Sequence, residues 1–190
     1  MATDRQATPL ADLHLADLDP QDKVAPNFRV YELCRSEIAD RLAMDNRLPS
    51  DDVLRAAVHL AREVMQPIRK GFGRFSPNSV YRSQELERVL KKRPKDWIST
   101  SDHTRGCACD LEIPGKSTLA LALWAAEHLA DYDQIICECV DPRRGPNAGW
   151  VHIALRPPGQ GENRREHLSY VLDLRTNRWV YVPGLHNSVP

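Results

Sequence analysis

The chain has 190 residues, 42% hydrophobic and 27% charged, which fits one domain with a real core and at most a small appendage. Lys+Arg and Asp+Glu both number 26, so the formal net charge is zero. That balance argues against a nucleic-acid binder with a broad basic surface and against a polyanionic tail. No apolar run approaches the roughly 20 residues of a membrane span, and the first residues carry no secretory signal, so delivery outside the cytoplasm would need another route. Five cysteines, an odd count, do not suit a secreted disulfide framework.

Residues 1–27 read as an extended arm rich in Asp, Pro, Gln and Ala, with Leu10, Leu13, Leu15 and Leu18 as its apolar positions. It is either a flexible or surface-wrapped leader or a docking segment for a partner. A single domain is expected over 28–190. A short helix is expected between Phe28 and Asn46. Ser50, Asp51 and Asp52 then open a strong amphipathic helix through Val53, Leu54, Ala57, Val58, Ala61, Val64, Met65 and Ile68, closed by Pro67, Gly71 and Gly73. Asn78 to Arg82 reads as a short strand, followed by a basic helix through Leu86, Val89 and Leu90 and a charge run at Lys91–Lys95. Cys107 to Ile113 alternates like a strand. Ser117 caps a helix, Leu119 to Ala130, that is apolar on nearly every side and so expected to be buried. Gln134–Val140 and Trp150–Leu155 read as strands, Glu162–Leu174 as a final helix. The order predicts an α+β fold with a small, mostly antiparallel sheet flanked by helices.

HExxH, GxSxG, GxxxxGK[ST] and GxGxxG are all absent, which removes support for helical zincins, α/β-hydrolases, P-loop and Rossmann enzymes. What remains is Ser101-Asp-His103-Thr-Arg-Gly106-Cys-Ala108-Cys-Asp110, followed downstream by Trp150-Val-His152. Gly106 allows a tight bend between His103 and Asp110. Two imidazoles and a carboxylate are a sufficient ligand set for a catalytic zinc with one open position. Spacing alone leaves this reading beside the plainer one, two ordinary histidines and a chance acid.

Ser101-x-His103-x-x-Gly106-x-Ala108-x-Asp110 with Trp150-x-His152 resembles the zinc D-alanyl-D-alanine carboxypeptidases, the hedgehog/DD-peptidase group. Ser79-Val-Tyr81-Arg82-Ser83 is similar to that family's (S)GYRS segment. Residues 36–48, Tyr132–Glu138, Asn163-Arg-Arg and Tyr181-Val-Pro-Gly184 resemble a branch common among phage and prophage proteins. The resemblance runs from about Phe28 to about Leu185. It implies that His103, Asp110 and His152 bind one Zn²⁺, which lowers the pKa of a bound water towards roughly 7 and polarises an amide carbonyl. It also implies that Arg82 pairs with the developing oxyanion or a substrate carboxylate.

The better-known branches carry a general-base Glu three residues before the last zinc His, where this chain has Gly149. Glu138, the one charged residue in an apolar strand, is the candidate substitute, with a plain salt bridge as its other reading. Asp102, beside a ligand, is a weaker candidate for supporting the site. Cys107-Ala-Cys109 and Cys137-Glu-Cys139 fall on two expected strands, where CxC puts both sulfurs on one face, so adjacent strands could gather four; they are either buried thiols, a structural metal site or a disulfide. His59, His128, His167 and His186 carry no motif. The resemblance implies a zinc peptidase cutting peptidoglycan stem peptides, as carboxypeptidase or endopeptidase, in phage lysis or on a virion, where the N-terminal arm would dock a virion or tail protein. The alternatives are a structural protein of a phage particle without turnover, and a hydrolase of some other small amide.

Overall fold

The computed structural model describes residues 3–190. Its helices are α1 (Glu37–Arg41), α2 (Asp51–Leu60), α3 (Gln66–Phe72), α4 (Gln84–Leu90) and α5 (Thr118–His128). Its strands are β1 (Lys23–Ala25), β2 (Phe28–Arg29), β3 (Ala108–Leu111), β4 (Gln134–Val140), β5 (Trp150–Ala154), β6 (Glu166–Asp173) and β7 (Arg178–Pro183). β1 and β2 form a small antiparallel ladder, and the other five make one sheet in the order β3-β5-β4-β6-β7. The fold is α+β. The sheet is mixed: β4 and β6 run parallel, whereas β3–β5, β5–β4 and β6–β7 are antiparallel.

Alternation along the strands gives the sheet two unlike faces. Cys109, Leu111, Ile135, Cys137, Val151, Ile153 and Val171 are wholly buried and share one core with Leu54, Ala57 and Val58 of α2 and Leu121, Ala122 and Ala125 of α5. The opposite face carries Asp110, His152, Ile136, Glu138 and Tyr181, which the ladder register and a side-chain hydrogen bond place on one side. The chemistry therefore sits on the face turned away from α2 and α5.

Ser50 caps α2, its hydroxyl accepting from the Val53 amide. Pro67 does not end this helix. A π-helical turn, Ala61–Met65, leads directly into α3, and Pro67 lies one residue past that turn inside a continuous rod. The rod stops at Gly73, whose φ is +83°.

Several elements differ from expectation. Phe28 pairs into the β1–β2 ladder instead of starting a helix, and the stretch to Asn46 contains a 3₁₀ turn, Val30–Leu33, and only five helical residues capped by Ser36. The strand expected at Asn78–Arg82 reduces to one bridge, Ser79 to Asp110, because the next amides turn away, Tyr81 to Leu33 O and Arg82 to His103 O. The helix expected over Glu162–Leu174 is β6, held in parallel register by β4 and antiparallel by β7. Pairing on both edges overrides a pattern too short to fix its own period. Helix α5 is not buried all round, since Leu123 stays half exposed while Leu121, Ala122 and Ala125 face the core.

Residues 3–27 lie along α2. Leu13, Val24 and Ala25 enter the core, and the β1–β2 ladder spans the expected boundary at residue 27. Arg62 fastens the segment through its guanidinium, which donates to the carbonyls of Arg5, Thr8 and Val24.

Candidate metal centre

His103 is delivered by a 3₁₀ turn, Asp102–Arg105, which ends on Gly106 with φ +71°. A Cβ at Gly106 would lie 2.7 Å from the Val53 carbonyl, so close packing on α2 requires glycine here. Asp110 follows on β3 and stands directly opposite His152 on β5. Both antiparallel partners point their side chains to the same face, so one register places the two ligands together.

The His103 ring is almost wholly buried, and its Nδ1 donates to the Val80 carbonyl at 2.6 Å. That bond fixes the tautomer and leaves a lone pair on Nε2. Nε2 faces Asp110 Oδ1 at 3.2 Å, and His152 Nδ1 reaches the same oxygen at 2.9 Å. The ligand atoms all lie within 4.8 Å of one another, so the three residues can hold a metal ion. The donor chemistry fits one. A neutral His103 turns an acceptor towards an acceptor, and protonating it is opposed by burial, which pulls its pKa below the ordinary value. A cation between lone pairs removes that conflict. Burial alone would raise the pKa of Asp110, but the facing imidazoles override it and hold the carboxyl far below the usual range.

Arg82 reaches the other oxygen of Asp110, Nη2 to Oδ2 at 3.1 Å, and its Nε stands 3.1 Å from Glu87. Asn46 fixes the backbone around it, donating to Cys34 O and Tyr81 O and accepting from Ser83 N. A cleft of about 470 Å³ opens beside Asp110 and Arg82, walled by Arg35, Ile38, Ser79 and Trp150, a volume suited to a small ligand.

Glu138 lies on β4 opposite Trp150, two residues from Ile136, which is opposite His152. It is half-buried and accepts from the Tyr181 hydroxyl at 3.3 Å. Burial pushes its pKa up, with His152 pulling the other way. Burial and the nearby carboxylate push Tyr181 up to about 12. The register of β4 against β6 slips between Cys137 and Val140, with Cys139 at φ +53°, a bulge of the kind that re-aims side chains. Gly149 has φ +80°, and a Cβ there would lie 2.0 Å from the Glu138 carbonyl oxygen. No side chain fits at 149.

Asp102 is not brought to the ligand set. As first residue of its turn it pairs with Arg105, three positions on, and lines a separate groove with Cys107 and Asp133. The two CxC segments do not lie on neighbouring strands, since β5 separates β3 from β4, and all five cysteines are free. Among the described residues, His103, Asp110 and His152 form the one group of His, Cys, Asp and Glu with metal-holding geometry. His128 stacks on Trp124, and His167 is hydrogen-bonded to Tyr132. No site role was legible in the sequence for Asn46, Glu87, Tyr181 or the Val80 carbonyl, although Asn46 and Tyr181 lie in segments that carry the resemblance.

No protein-family model, curated protein or solved structure matches this chain.

Proposed function

We propose that the protein is a zinc-dependent peptidase that cleaves amide bonds in peptidoglycan stem peptides, as a D,D-carboxypeptidase or endopeptidase of the hedgehog/DD-peptidase type. The observation that carries this reading is the convergence of His103 Nε2 and His152 Nδ1 on one oxygen of Asp110. Two imidazoles and a carboxylate suit zinc and leave a position free for water or substrate. A zinc ion held there supplies Lewis acidity, polarising an amide carbonyl and acidifying water.

The chain's own groups supply the rest. Glu138 takes a proton from the attacking water and returns it to the leaving amine; burial tunes it for this by raising its pKa. Tyr181 orients that carboxylate through its hydroxyl. Arg82 spends one Nη on Asp110, and its Nη1, without a partner among the described residues, is available to an oxyanion or a substrate carboxylate. The substrate lies in the cleft between Arg35 and Trp150. Among the described residues no helix is long and apolar enough to cross a membrane. On this reading the protein acts at the wall after release in phage lysis or as part of a virion.

Elemental analysis of wild type and His103→Ala, purified side by side, tests the centre. About one zinc per chain in wild type, lost in the variant, is expected, followed by release of cleaved muropeptides by wild type only. A wild-type chain that takes up no zinc when zinc is offered sinks the reading. A zinc-loaded chain inert on every wall substrate and recovered in purified particles would instead make it a structural virion protein.

A further inference from the structure

Glu87 lies on α4 outside any motif and is completely buried, and a buried carboxylate needs partners. Its Oε2 receives Lys91 Nζ at 2.7 Å and the Ser99 hydroxyl at 3.1 Å. Its Oε1 faces Arg82 Nε at 3.1 Å without hydrogen-bond alignment, and neither of those two buried atoms has another partner. Arg82 then reaches Asp110 Oδ2. Charges thus alternate from Lys91 through Glu87 and Arg82 to Asp110, and end on the two histidines. The Ser99 end is rigid, because its backbone exchanges two hydrogen bonds with the Gln84 side chain on the same helix.

We infer that Glu87 is a positioning residue of the metal centre, acting on the metal through Arg82. Two effects run together. Glu87 holds the guanidinium between two carboxylates, so that Arg82 occupies Oδ2 of Asp110 and leaves Oδ1 to the cation. Its negative charge also offsets that of Arg82, which otherwise stands beside Asp110 and repels a cation. Partners one bond beyond the ligands commonly govern metal affinity in this way. The inference rests on His103, Asp110 and His152 being a metal site. A plain ion pair that only pins α4 would alter stability and leave metal affinity alone.

The test is zinc affinity, measured by competition with a chromophoric chelator on wild type, Glu87→Gln, Arg82→Met and the double variant. Glu87→Gln is expected to weaken zinc binding about 10–100-fold and to change the visible absorption of the cobalt-loaded protein. In the Arg82→Met background the same substitution should change affinity by less than about threefold, since its route to the metal is gone. Unchanged affinity in Glu87→Gln overturns the inference, as does an equal loss in both backgrounds. If Glu87→Gln does not fold, Lys91→Met serves. Freed from the half-exposed lysine, Glu87 offsets Arg82 more fully, and zinc should bind about threefold tighter or better. Unchanged or weaker binding there overturns the inference. A wild-type chain without zinc ends both readings, whereas zinc bound equally well by wild type and Glu87→Gln ends this one alone.

Discussion

Gly149→Ala is predicted to be among the more damaging single-methyl additions in this chain. Gly149 has φ +80°, and an added Cβ would lie 2.0 Å from Glu138 O and 2.9 Å from Cys139 C and O. All three are backbone atoms, so no rotamer change relieves the clash. The left-handed conformation costs roughly 1–2 kcal/mol for an L-residue, and forcing strands apart adds about 1–3 kcal/mol. Together that is about 2–5 kcal/mol, or on the order of 4–20 °C in Tm for a chain of this length. Gly159→Ala separates the two contributions, because Gly159 has φ +83° but nothing within 4 Å of its added Cβ. Thermal and urea unfolding of both variants should therefore differ by the clash alone, about 1–3 kcal/mol. Equal destabilisation would refute the close approach of the β4 bulge to residue 149. Gly149→Glu should be worse still, and should not install a general base.

Leu13→Ala removes a side chain only 2% exposed and should cost about 2–5 kcal/mol in urea unfolding; a loss below about 0.5 kcal/mol would mean that the N-terminal segment is not part of the core. Asp133 is buried, so burial would raise its pKa, yet Arg164 and Arg156 hold it down at about 2, against an ordinary value of 3.8. A depressed carboxylate stabilises above its unfolded pKa and loses that contribution as pH falls, so wild type should exceed Asp133→Asn by about 2 kcal/mol near neutrality. The gap should close between about pH 4 and pH 2, and a gap independent of pH would refute the ion-pair account. Tyr181→Phe deletes a donor that lowers the pKa of Glu138, so the acidic limb of kcat/KM on a stem peptide should move to higher pH. An unmoved or downward-shifted limb would remove Tyr181 from the site.

The three candidate ligand positions were legible because compact local motifs carry their resemblance to a known family, whereas spacing alone left the plainer reading open. One glycine turn places His103, and one antiparallel register, Asp110 opposite His152, places the others. Strands β4 and β5 were legible for a similar reason: each is a compact apolar run with a single polar interruption. Strand β6 was not. Its residues carry no clean alternation, and its conformation is decided by β4 and β7, neighbours that only the folded chain supplies. The same applies to the CxC segments, whose grouping on adjacent strands assumed a sheet order that β5 interrupts. Asp102 misled because adjacency in sequence says nothing of direction. A 3₁₀ turn points His103 inward to Val80 and gives Asp102 to Arg105. Long-range partners such as Asn46 and Glu87 carry no local signature at all.

The glycine at 149 bears on catalysis through its contact. Residues 138 and 149 flank the same β4–β5 loop, and the place where a Cβ of residue 149 would stand is filled by the Glu138 carbonyl oxygen. A bulge of one residue in β4 brings that backbone so close, with Cys139 in the left-handed region. A carboxylate on residue 149 and the bulged β4 therefore exclude each other sterically. In this chain the acid sits on the bulged strand, on the sheet face that carries His152 and within reach of Tyr181. On the proposed reading the general base has moved from one strand of the hairpin to its neighbour, and the glycine is the consequence of that move. Glu138→Gln should then abolish turnover while leaving zinc content at the wild-type level, a combination that loss of a metal ligand cannot produce.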